Sequence, residues 1–79
     1  MKTVEMKKNF KSKAGFKRIE MIGPNEFCKV QYKWSLCYPT NEEGKFVEYV
    51  QDKYEMTRDE ANNMYLKLKK QGFEIKITQ

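Results

Sequence analysis

The chain has no histidine, and only four glycines, two prolines and two cysteines in 79 residues. Without histidine there is no Ser-His-Asp or Cys-His pair, no imidazole metal ligand and no side chain that ordinarily titrates near neutral pH. The glycines form neither GxGxxG nor GxxxxGK[ST], which excludes both phosphate-cradling loops. Two cysteines fall short of the four ligands a structural zinc site takes. No run of about 18 apolar residues occurs, so no membrane contact through a spanning helix is expected. The lysines near the N-terminus precede no apolar stretch, which argues against a signal peptide and for a cytoplasmic protein. No cofactor or metal is expected, and for want of catalytic groups the chain is expected not to be an enzyme.

What is abundant is rings and charge. Five Tyr, five Phe and one Trp can each bury about 150–250 Å². That suits a single domain over residues 1–79, too short for a large core and marginal in stability. The charge is unevenly placed. Met1 to Arg18 holds Lys2, Lys7, Lys8, Lys11, Lys13, Lys17 and Arg18 against Glu5 alone. Glu42 to Glu60 holds seven acids against Lys45, Lys53 and Arg58. The whole chain carries only +5, so it reads as a dipole that meets partners in a preferred pose.

The clearest pattern runs from Glu26 to Tyr38. Cys28, Val30, Tyr32, Trp34, Leu36 and Tyr38 alternate with Lys29, Gln31, Lys33 and Ser35, which predicts an antiparallel strand with one buried face. Thirteen residues would reach about 43 Å, so this strand must bend, carry a bulge or project. Cys28 and Cys37 are nine residues apart on it, on opposite faces and about 30 Å from each other, so both thiols are expected free. Cys28 is expected in the core and Cys37 at the surface.

Pro39 to Gly44 is turn chemistry. Lys45 to Met56 has apolar residues that fit either period; its β-rich composition favours a strand, with a bulge near Tyr49-Val50. On such a strand Glu48 and Asp52 would share one face and Glu55 the other, a solvated row able to pair with Lys33. Thr57 and Glu60 form a capping box for a helix whose buried stripe is Ala61, Met64, Tyr65 and Leu68, ended by Gly72. Phe73, Ile75 and Ile77 alternate as a last strand. Phe16 to Ile22 is another, with Gly23-Pro24-Asn25 as its exit turn. Thr3 to Lys11 is expected as an edge strand or a flexible arm, turning at Lys13-Ala14-Gly15. The fold class is α+β, a small antiparallel sheet of four to five strands with one helix on one face, in the order (β)βββαβ.

The candidate binding residues are Lys7, Lys8, Phe10, Lys11, Lys13, Lys17 and Arg18, extended across the sheet by Lys29 and Lys33. Lysines take phosphates as point charges, and exposed rings stack on unpaired bases. No recognition helix, RNP1 motif or GXXG loop is present, so contact with nucleic acid would be with RNA or single-stranded DNA. The competing class is a protein docking module, suited by a long hairpin and a two-signed surface. In being Lys-, Glu-, Asn- and Tyr-rich, compact and histidine-free, the chain resembles the small accessory proteins of AT-rich bacteria and their phages, many of which act as stoichiometric inhibitors. That resemblance is one of composition and size. It implies a partner that is a host protein or a protein–nucleic-acid complex, in nucleic-acid-handling or defence machinery.

Overall fold

The computed structural model describes residues 2–10 and 14–79. Five strands and one helix follow one another as β1 (Thr3–Asn9), β2 (Phe16–Ile22), β3 (Lys29–Pro39), β4 (Phe46–Thr57), α1 (Arg58–Lys70) and β5 (Glu74–Thr78). They build one sheet in the order β4-β3-β2-β1-β5, antiparallel at every pairing.

Thr3–Asn9 is therefore neither an edge strand nor an arm. It lies inside the sheet, between β2 and β5. Its Met6 is fully buried, and the chain end is held because Gly23 N donates to Lys2 O at 2.9 Å. The lysines that suggested an edge project from an interior strand to the two faces of the sheet instead.

The register sorts every strand residue to one of two faces. On the helix face, Val4, Met6, Ile19, Met21, Val30, Tyr32 and Met56 pack with Ala61 and Leu68 of α1 and with Phe73. Met64 and Tyr65 complete the helix stripe at the core margin. Thr57 caps α1 as its spacing predicts: its hydroxyl accepts from Glu60 N at 3.2 Å, and the Glu60 carboxylate accepts from Thr57 N at 3.4 Å. Gly72, at φ +89°, turns the chain from α1 into β5.

The segment Lys45–Met56 is a strand, with its irregularity at Gln51. Trp34 faces Asp52 and Ser35 faces Val50, so β4 spends one extra residue there. A bulge of this kind reverses the facing of everything beyond it. Glu48 and Glu55 therefore share the face away from the helix, and Asp52 lies on the helix face, against the expected grouping of Glu48 with Asp52.

Strand β3 begins at Lys29, not Glu26. Asn25 makes the turn before it, its side-chain oxygen accepting from Phe27 N and Lys29 N at 2.9 Å each. Cys28 is thus an exposed turn residue at φ +58°, outside the ladder and outside the core. Cys37 is the buried thiol, with none of its surface exposed. The two assignments are the reverse of the expected ones, because the strand starts after Cys28 and the face opposite the helix is itself covered near Cys37. Both thiols are free.

The β2–β3 contact at Gly15 has no room for a side chain: a Cβ there would sit 2.7 Å from Cys37 O and 2.8 Å from the Phe10 ring. Gly15→Ala is expected to destabilise the fold by about 1–3 kcal/mol, the usual range for overpacking, and Thr57→Ala by about 1 kcal/mol through loss of the cap. Urea unfolding followed by far-ultraviolet circular dichroism measures both.

Candidate functional site

The expected basic patch is divided by the sheet. Lys7, Arg18 and Lys33 project from the face away from the helix, and Lys8 and Lys17 from the helix face. Lys29 is exposed at the start of β3, about 23 Å along the strand from Leu36, the residue opposite Lys17. Lys11 and Lys13 lie outside the described residues.

On the face away from the helix Lys7, Arg18 and Lys33 each have a carboxylate. Arg18 is the hub. Its Nη1 lies 2.8 Å from Glu48, and its Nη2 lies 3.0 Å from Glu20 and 3.5 Å from Glu5. Lys33 bridges Glu48 at 3.2 Å and Glu20 at 4.0 Å, and Lys7 holds Glu5 at 3.1 Å. The Lys33–Glu48 pair is the cross-strand contact the sequence suggests. Glu48 belongs to the acidic block and Arg18 to the basic one, so the two charged blocks of the sequence meet at this pair.

Burial alone would raise the Glu48 carboxyl, yet the hydrogen bonds from Arg18 and Lys33 outweigh it and hold it below the ordinary range. Glu5 is held down in the same way by Lys7 and Arg18. Cys37 lies under this lattice with its Sγ 3.9 Å from Glu48, and burial followed by the Glu48 charge pushes its thiol up. Such a thiol stays protonated and unreactive at neutral pH. The same face ends in apolar contacts at the hairpin tip. The Phe16 and Phe46 rings meet edge to face at 5.4 Å, and the Lys7 ammonium lies 5.4 Å from the Phe16 ring.

The helix face is different. Helix α1 crosses only the end of the sheet that holds Val30, Tyr32 and Met56. Beyond it, the β3–β4 hairpin carries Trp34, Leu36, Tyr38, Val47 and Tyr49 on the same face, the first three half-buried and Val47 and Tyr49 exposed. Tyr38 sits between Phe10 and Tyr49, 5.9 Å from each ring. Lys17 lies over Trp34 at 5.8 Å, and Lys8 over Phe73 at 5.7 Å. A groove of about 200 Å³ opens beside them, lined by Lys8, Phe10, Lys17, Gln71 and Phe73. Of the expected site residues, Lys8, Phe10 and Lys17 come together here, and Lys7, Arg18 and Lys33 in the ion-pair lattice on the other face.

Alternation predicts Trp34 and Tyr38 on the core side of the sheet, and that is the face they occupy; Tyr49, whose segment fits either period, joins them there as the partner of Leu36. Alternation fixes the face but not how much of it a helix covers. A second cavity, of about 310 Å³, lies under the start of α1 with Lys2 and Arg58 on its walls and no carboxylate or thiol. Among the described residues no three Asp, Glu or Cys side chains are grouped to hold a metal ion, and no helix is long and apolar enough to cross a membrane.

The carboxylate lattice sets an acid limit on stability. With folded values below the unfolded value of about 4.3, Glu48 and Glu5 contribute stability that is complete above that pH and lost as the pH falls through their folded values. Glu48→Gln is expected to lower stability at pH 7 and to flatten its decline between pH 5 and pH 2, measured by urea unfolding across that range. In thiol titration with a chromogenic disulfide, Cys28 is expected to react within seconds and Cys37 only at the rate of unfolding. Fast labelling of both would contradict the burial of Cys37.

Comparison with protein-family models, curated proteins and solved structures finds no match, so the functional argument rests on this geometry.

Proposed function

We propose that the chain is a non-catalytic docking module that binds a protein partner along β4, as a stoichiometric regulator of nucleic-acid-handling machinery. The observation that carries the docking is the character of this edge. β4 is one of the two edge strands, twelve residues long against five for β5, and carries apolar side chains on both faces. Val47, Tyr49 and Tyr54 on the helix face are 44%, 54% and 42% exposed; Phe46 and Val50 on the other face are 42% and 51%. Edge strands that stay unpaired are commonly short and guarded by charge. An apolar edge with free backbone N–H and C=O groups suits the addition of a partner strand.

The bulge at Gln51 divides that edge. Phe46 to Val50 holds four of the five exposed apolar side chains, so docking centres there. Glu42, Glu43, Asp52 and Glu55 surround the edge and favour a partner segment that alternates apolar with basic residues.

Capture from nuclease-treated lysate tests this. One protein is expected to be retained stoichiometrically by the wild-type chain. Phe46→Lys and Val50→Lys are each expected to weaken its retention at least tenfold with unchanged circular dichroism, as truncated interface anchors do. Retention lost on nuclease treatment, or indifferent to both substitutions, would refute docking along β4.

A further inference from the structure

We infer that the helix-free half of the sheet binds single-stranded nucleic acid, with phosphates on Lys8 and Lys17 and bases stacked on Tyr49 and Tyr38. This goes beyond docking along β4: its cationic residues lie on β1 and β2, and Tyr49 is the residue the two surfaces share.

Lys8 and Lys17 are direct register partners across β1 and β2. Like charges placed opposite one another in a sheet destabilise it. On the other face the opposed Lys7–Arg18 pair is offset by carboxylates, Glu5 on Lys7 and Glu5, Glu20 and Glu48 on Arg18. Here neither lysine makes an ion pair among the described residues. A like-charged pair without a counter-ion, held on an interior strand pair, is a site for an anion from solution.

The lysines are also positioned. Lys8 donates one proton to Gln71 O at 2.6 Å and lies over the Phe73 ring; Lys17 lies over Trp34. Each ammonium carries three donors, so both retain donors for phosphate oxygens. Lys67, Lys69 and Lys70 in the last turn of α1 add positive charge near the same end of the helix.

Bases have their own surface. The register runs Lys8, Lys17, Leu36, Tyr49 in one row across four strands. Tyr49 lies two strand spacings from Lys17, about 10 Å. Its ring begins the chain of three that passes through Tyr38 to Phe10. Rings on which bases can stack, beside a cationic track, are how sequence-tolerant single-strand sites are built. Asp52 occupies the neighbouring row on the same face, and Glu42 and Glu43 stand at the hairpin tip. They repel phosphate there and keep the backbone on the β1–β2 side. A duplex, whose bases are already stacked on one another, gains nothing from these rings.

Trp34 is the single tryptophan and lies against Lys17, so its fluorescence reports the site. Oligo(dT) and oligo(rU) of about 15 nucleotides are expected to quench it saturably. With two phosphates neutralised, affinity should fall about sevenfold from 50 to 200 mM salt. The double variant Lys8→Gln, Lys17→Gln should abolish that salt dependence while folding at least as stably. Tyr49→Ser should weaken binding about tenfold with the salt slope unchanged. Val50→Lys should leave binding intact, which separates this site from β4 docking.

Absence of quenching at 50 mM salt would overturn the inference. So would a double variant that binds with the wild-type salt slope, or a duplex of equal length that binds as well as the single strand. If no oligonucleotide binds and Tyr49→Ser abolishes protein capture, the face belongs to the protein partner; the nucleic-acid site is then refuted while docking stands.

Discussion

A thirteen-residue helix, about 20 Å long, is asked to cover a sheet in a molecule whose long axis measures 41 Å. It cannot reach the whole sheet, and the rest of the structure follows from that shortfall. Where α1 lies, methionines, isoleucines and Val30 close a conventional core with Ala61 and Leu68. Where it does not reach, the same face of β3 and β4 carries Trp34, Tyr38 and Tyr49 beside Leu36 and Val47. Aromatic side chains tolerate this position because one side of a ring can pack on the sheet while the other stays open to a ligand.

The opposite face has no helix at all, and it solves the problem by charge. Three cations and three carboxylates from β1, β2, β3 and β4 interlock around Arg18 and seal Ser35 and Cys37 from water. Exposed ion pairs contribute little singly. These are only about one-fifth to one-quarter exposed in most members, and each carboxylate has more than one partner. The lattice joins four strands and neutralises Lys7 and Arg18, two of the cations that form the basic block of the sequence. Cationic side chains left without carboxylates then stand out, and Lys8 with Lys17 is the directly opposed pair among them.

The bulge at Gln51 connects these faces to the edge. By spending one residue it carries Glu48 under Arg18 while Tyr54 stacks on Tyr32 at 4.9 Å from the helix side. Without the shift, one of the two contacts would face the wrong way. The mixed apolar spacing of Phe46, Val47, Tyr49, Val50 and Tyr54, which fits neither a clean strand nor a clean helix, is the sequence trace of that requirement. It also leaves apolar side chains on both faces of an edge strand, the feature on which protein docking is proposed.

The sequence by itself determined the elements whose cause is local. Alternation from Val30 to Tyr38 sets β3, the Thr57–Glu60 box sets the start of α1, and Gly72 sets its end, because each acts over a few residues of chain. It also determined that one sheet and one helix share a single small core. Only the tertiary structure decided where β1 sits, which face each lysine occupies, and that Cys37 rather than Cys28 is sealed. These depend on strand order, on a one-residue bulge and on how far one helix reaches across the sheet. All three are set by pairings between residues distant in the chain; the mixed spacing of β4 signals a bulge, but the charge or period of a single segment fixes neither the strand order nor the reach of the helix.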